Sequence, residues 1–162
     1  MTTGTELDLL DSAKYLYLQE LSEPRDNSLR LVVQEAIANP VGLVCPHAEA
    51  PELQALFTDC LPIESTETCR TFELIWDRYV AYLVTEECAG SCGRYEDEIF
   101  TGTLFRVYTK SHFLEHLVRD TGAHSKEIQH YKLICLNHLI DIAAYGPAEI
   151  KQIGPKPSLR IQ

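Results

Sequence analysis

The sequence predicts an α+β domain made mainly of antiparallel β-hairpins, with one or two short helices. Apolar and aromatic residues alternate with polar ones in several segments, most clearly over residues 70–87, as is typical of half-buried strands. Turn-forming residues separate these segments, and the regular alternation of strand and helix that a parallel sheet requires is missing. We therefore assign one globular domain to residues 1–153 and a flexible tail to residues 154–162.

The first part of the chain predicts a hairpin followed by a loop. Residues 5–21 combine a helical composition in TELDLLDSA with an alternation in KYLYLQEL that suits a strand, so both interpretations stay open. The turn formers SEPRDNS and the strand LRLVVQEAI then predict a first hairpin. Four prolines interrupt residues 39–68, which predict a loop with a short helix at PELQALF.

The second part predicts a longer hairpin, a helix and late strands. Within residues 70–87 the apolar parity changes near Asp77, which predicts a β-bulge. A connection at 88–98 leads to a strand at 101–109 and so closes a second hairpin. A short helix is predicted at about 111–121, and HYKLICLNHLIDIAAY predicts one or two further strands with its apolar and polar groups on opposite faces.

Charge and composition exclude several classes of partner. The chain of 162 residues has 14 basic and 24 acidic residues, a net charge of -10, which opposes binding to nucleic acid or to an anionic membrane. The N-terminus lacks the basic start and apolar core of a signal peptide, and no apolar run approaches the ~20 residues of a membrane span. We therefore expect a cytoplasmic protein whose six cysteines are mostly reduced.

The segment HFLEH at 112–116 is similar to the H-x-x-E-H motif of inverted zinc metalloproteases. On a helix at about 100° per residue, His112 and His116 lie near 0° and 40°, whereas the apolar stripe is centred near 170°. That stripe consists of Phe113, Leu114, Leu117 and Val118. Because both imidazoles point away from the core and little chain follows to supply a third ligand, we expect a solvated helix face and no metal or cofactor.

Cys88 and Arg94 have the Cys-x5-Arg spacing of cysteine-dependent phosphatases, and the segment resembles the loop of low-molecular-weight tyrosine phosphatases. The resemblance implies that Cys88 attacks phosphorus, that backbone N–H groups cradle the phosphate and that Arg94 holds its oxygens. Glu86 and Glu87 depart from this pattern, because their charges oppose both thiolate formation and an approaching phosphate. A phosphatase, or a redox protein using the same loop, is the alternative function.

Acidic residues cluster on either side of the same connection. We call this set the acidic turn; it consists of Glu86, Glu87, Glu96, Asp97 and Glu98 around the single cation Arg94. It suits either a solvated tip or an electronegative surface for a basic protein. We expect a non-enzymatic protein-binding or regulatory domain, for instance an acidic inhibitor or immunity-type protein. The free edges of a small sheet would also allow a homodimer.

Overall fold

The structure is a computed structural model that describes residues 4–38, 61–90, 97–122 and 127–154. Its elements in chain order are α1 (Gly4–Asp11), β1 (Tyr15–Ser22), β2 (Leu29–Ala38), β3 (Ile63–Glu64), β4 (Thr71–Trp76), β5 (Tyr79–Glu86), α2 (Glu87–Gly90), β6 (Ile99–Thr101), β7 (Phe105–Lys110), α3 (His112–Thr121), β8 (Gln129–Ile134), β9 (His138–Ala144) and β10 (Glu149–Gln152). The predicted α+β class, with mostly antiparallel strands and short helices, is confirmed. The predicted helix PELQALF and residues 155–162 of the predicted tail lie outside the described ranges.

The described strands form two antiparallel sheets. The first has the order β1-β2-β4-β10, with β3 paired to β2, and the second has the order β5-β9-β8-β7-β6. The first predicted hairpin is confirmed as β1 and β2, which pair from Tyr15 opposite Ala36 to Ser22 opposite Arg30. Residues 5–21 satisfy both open interpretations in succession, because the helical composition forms α1 and the alternating residues form β1.

The parity change near Asp77 coincides with a corner at which the chain leaves one sheet and enters the other. β4 ends at Trp76 in the first sheet and β5 begins at Tyr79 in the second, with a register irregularity just past the corner between Tyr79 and Ala81. The predicted second hairpin is wrong, because β5 pairs with β9, and β7 pairs with β6 and β8. Pairing with β9 places β5 beside the buried residues Ile140 and Ile142, which complete the core of the second sheet.

The two sheets share one hydrophobic core. Trp76, at the end of β4, is 1% exposed, and its ring lies 6.2 Å from that of Phe105 and 5.7 Å from that of Tyr131, both in the second sheet. Tyr131, Leu133 and Cys135 all lie in this core, as expected for the apolar face of the segment HYKLICLNHLIDIAAY. Burying side chains of this kind stabilises the fold by about 1.5–3 kcal/mol each.

The N-terminal helix is fixed to the second sheet through one carboxylate. Asp11 at the end of α1 accepts the backbone N–H groups of Thr103, Leu104 and Phe105 at 2.8, 2.7 and 3.3 Å. Gly102 begins this turn with φ +89, a backbone conformation that residues with a side chain rarely adopt. Leu10, directly before Asp11, is fully buried, so the helix joins the core at the same point.

Candidate functional site

The edge strand β5 carries exposed apolar side chains next to acidic ones. Leu83 is 50% exposed and Val84 is 38% exposed, and within the described ranges β5 pairs with β9 alone. Glu86 ends β5 and Glu87 begins α2; both are exposed, and neither forms an ion pair with a described residue. We call Leu83, Val84, Glu86 and Glu87 the β5 edge. It combines two exposed apolar side chains, on opposite faces of the strand, with two negative charges that no described cation pairs.

Asp97 and Glu98, the next part of the acidic turn, are both bound to groups within the chain. Asp97 binds Lys110 Nζ and His112 Nε2, each at 2.7 Å, and these hydrogen bonds lower the pKa of Asp97 to about 2. Glu98 accepts the backbone N–H of His112 at 2.9 Å. Both carboxylates thus fix the segment before β6 to the beginning of α3, and Asp97, being paired with cations, offers less negative charge to a partner than Glu86 does.

The fold separates the two described parts of the acidic turn. β5 and β6 are opposite edges of the second sheet. Glu86 lies opposite His138 at one end of that sheet, whereas Ile99, just after Glu98, lies opposite Lys110 at the other end. Arg94 and Glu96 lie outside the described residues. Of the residues predicted as one binding surface, the structure places Glu86 and Glu87 together and Asp97 and Glu98 together.

The cysteine of the alternative function lies in α2. Cys88 is the second residue of this four-residue helix and is exposed, whereas Arg94 falls outside the described ranges, so the phosphatase interpretation stays a prediction. Two other cysteines, Cys69 and Cys135, are buried. Burial raises the pKa of the Cys135 thiol to about 12, so this side chain acts as a small apolar group.

The HFLEH segment forms α3, capped by the Ser111 hydroxyl at its beginning and by Gly122, in the left-handed conformation, at its end. The His116 side chain is 72% exposed and lies 3.4 Å from Asp120, and His112 pairs with Asp97 as described above. In the described ranges, no group of three histidine, cysteine or acidic side chains could hold a metal ion.

Beneath α3, the buried polar residues Ser111, His130 and Asp141 form a cluster that also includes the partly exposed Lys132. The Ser111 hydroxyl lies 2.6 Å from His130 Nδ1, and His130 Nε2 lies 3.0 Å from Asp141 Oδ1. Lys132 Nζ donates to both oxygens of Asp141 at 3.0 Å. Since an ionised carboxylate only accepts, a neutral imidazole carries its hydrogen on Nε2 and accepts the Ser111 hydroxyl on Nδ1.

The same cluster contains the groups of a Ser-His-Asp triad, but its surroundings make it a structural element. His130 is 1% exposed and lies between the rings of Tyr108, at 4.2 Å, and Phe113, at 5.0 Å. The Ser111 oxygen, in a residue that is 5% exposed, also accepts the backbone N–H of Leu114 as the helix cap. Closed off in this way, the hydroxyl holds α3 against the second sheet.

The alternation in HYKLICLNHLIDIAAY places His130 and Asp141 on the polar face of the predicted strands, but it does not connect them with Ser111. The structure confirms that these polar residues share one face, because His130 and Lys132 on β8 lie next to Asp141 on β9. No pattern in the sequence indicates that α3 covers the polar face of β8 and β9.

The chain matches no model of a protein family, and neither a curated protein nor a solved structure matches it. In the described ranges, no helix is long and apolar enough to cross a membrane.

Proposed function

We propose that this chain is a non-enzymatic protein-binding domain that captures a partner with a basic surface, as an acidic inhibitor or immunity-type protein does. One observation carries the proposal: the β5 edge places Glu86 and Glu87, uncompensated by any described cation, beside the exposed side chains of Leu83 and Val84. Apolar area supplies affinity, and unpaired carboxylates select a basic partner.

The charge of the whole chain supports the same kind of partner. A net charge of -10 attracts a basic protein over several ångströms and accelerates encounter, with an effect that salt weakens. Buried thiols at Cys69 and Cys135 suit the reducing cytoplasm that the sequence predicts for this domain. The cluster at Ser111 supports no competing enzymatic proposal, because its hydroxyl is buried.

Charge reversal at the β5 edge tests the proposal. The double variant Glu86→Lys, Glu87→Lys should lose captured basic proteins in affinity purification, while its thermal melt stays close to that of the wild type. The matched control Glu67→Lys, Glu127→Lys changes the net charge equally at two other exposed positions and should retain them. Equal loss in both double variants would show that total charge alone is responsible, and would contradict a site at β5.

A further inference from the structure

The turn between β8 and β9 fixes the direction of the backbone groups of β9. Across this turn the N–H of Cys135 donates to the carbonyl of His138 at 2.9 Å. In an antiparallel ladder, pairs that exchange hydrogen bonds alternate with pairs that do not. Ile140, two residues after His138, therefore directs its backbone groups toward β8, and Asp141 directs its own toward β5.

The backbone groups of β5 follow from this alternation. Leu83 lies opposite Asp141 and exchanges its backbone hydrogen bonds with β9. Tyr82, Val84 and Glu86 occupy the alternate positions, so their N–H and C=O groups point away from β9. Within the described ranges no further strand receives them. Tyr82 and Val84 therefore keep both a donor and an acceptor that β9 does not use, and Glu86 keeps its N–H, whereas its C=O begins the hydrogen bonding of α2.

The turn between β1 and β2 limits this edge at one end. Asn27 accepts the N–H of Tyr79 at 2.8 Å, and Glu23 accepts the hydroxyl of Tyr82 at 2.9 Å. The open length thus runs from Tyr82 to Glu86, roughly 16 Å at about 3.3 Å per residue. A length of this order accommodates one short extended segment.

Natural proteins usually protect edge strands from pairing with other chains. The other edge strand of the second sheet, β6, is protected in this way, whereas β5 is not. β6 has three residues, and the carboxylates before it, Asp97 and Glu98, are occupied by Lys110 and by the start of α3. At β5 the carboxylates of Glu86 and Glu87 remain without described cations. Two copies of this chain, each with a net charge of -10, would repel one another, so charge favours a basic occupant over a second copy.

We propose that the β5 edge binds an extended segment of a basic partner protein as an added strand. Hydrogen bonds to both backbone groups of Tyr82 and Val84 and to the N–H of Glu86 supply the pairing. Leu83 and Val84 contact apolar side chains on the two faces of the segment, and Glu86 and Glu87 bind its lysines or arginines. The inference rests on the proposed function and specifies how the partner is recognised.

Proline at Val84 tests the pairing directly. Val84→Pro removes an N–H that the ladder with β9 does not use, and proline is tolerated at such outward positions of edge strands. The probe is a peptide of eight residues that alternates lysine and valine, with binding measured by fluorescence anisotropy. We expect a loss of affinity of at least tenfold for Val84→Pro, and less than threefold for the matched variant Val84→Thr, which keeps the N–H and the branched side chain.

A second peptide tests the backbone pairing on the wild-type protein, so the test does not depend on whether Val84→Pro lowers the stability of the fold. The same sequence methylated on every backbone nitrogen retains charge and side chains but cannot donate to a ladder, and it should bind the wild-type protein at least tenfold more weakly. Equal binding of both peptides, with binding lost in Glu86→Lys, Glu87→Lys, would overturn strand addition while leaving a basic partner in place. No binding of the unmethylated peptide, or pairing of two copies in sedimentation, would also overturn it.

Discussion

The buried carboxylate of Asp141 offers the sharpest test of how α3 and the second sheet are held together. Asp141→Asn keeps the shape and one oxygen for His130 but leaves the ammonium of Lys132 without its negative partner. Hydrogen bonds to charged groups contribute about 1.5–3 kcal/mol, and breaking a fully buried ion pair costs about 3–5 kcal/mol. Because the Lys132 side chain keeps 22% exposure to water, we expect a loss of about 2–3 kcal/mol.

The effect should depend on pH. Burial alone would raise the pKa of Asp141, but the hydrogen bond from His130 and the charge of Lys132 outweigh it and hold the pKa below its usual value. The contribution is therefore present above the unfolded pKa, at about 3.9, and is lost as the pH falls through the lower folded pKa. The difference in unfolding free energy between wild type and variant should narrow below about pH 4.

Urea unfolding at several pH values measures both effects. The matched control is Asp77→Asn, which removes a carboxylate whose side chain is 87% exposed and paired with Arg25; it should change the unfolding free energy by less than about 0.5 kcal/mol. If Asp141→Asn lowers the unfolding free energy no more than this control does, or lowers it equally at pH 7 and pH 3, the carboxylate of Asp141 does not hold α3 against the second sheet.

Three further changes test separate features. Ser111→Ala removes the cap of α3 and should cost about 1–2 kcal/mol in urea unfolding; an unchanged midpoint would contradict the capping role. Gly102→Ala places a Cβ 2.0 Å from the carbonyl oxygen of Phe105 at φ +89 and should cost more than about 1 kcal/mol, whereas full stability would mean that the turn relaxes freely. Asp97→Asn should lower the raised pKa of His112 in an NMR titration, because the hydrogen bond with Asp97 is the main cause of that raised pKa. The stabilisation from the wild-type pair is present below about pH 6.5 and is lost as the pH rises through the raised pKa of His112. An unshifted titration would refute the pairing.

Local signals predicted local structure well. Turn formers placed the β1–β2 hairpin, and the apolar stripe of HFLEH located α3 within one or two residues of its actual ends. Alternation around Tyr131 identified the core face of β8. These features depend on neighbours within about ten residues, which a sequence displays directly.

Features that depend on distant partners were not predictable in this way. β5 lies next to β9 in space but more than fifty residues before it in the chain, so proximity in sequence wrongly favoured a hairpin with β7. The short strands β3, β6 and β10 form because longer strands offer them an edge, and their own residues show little alternation. Likewise, the sequence does not show that Asp97 pairs with Lys110 and His112, or that Glu98 accepts the backbone N–H of His112.

The late position of β9 has a consequence for synthesis on the ribosome. β1, β2 and β4 leave the exit tunnel in an order that lets them pair as they appear, but β5 must wait while residues 87–137 are made. At about 5–20 residues per second, this interval lasts several seconds. During it Leu83 and Val84 belong to a strand that is open on both sides, so a nascent chain stalled before β9 presents the arrangement most prone to pair with another unfinished polypeptide.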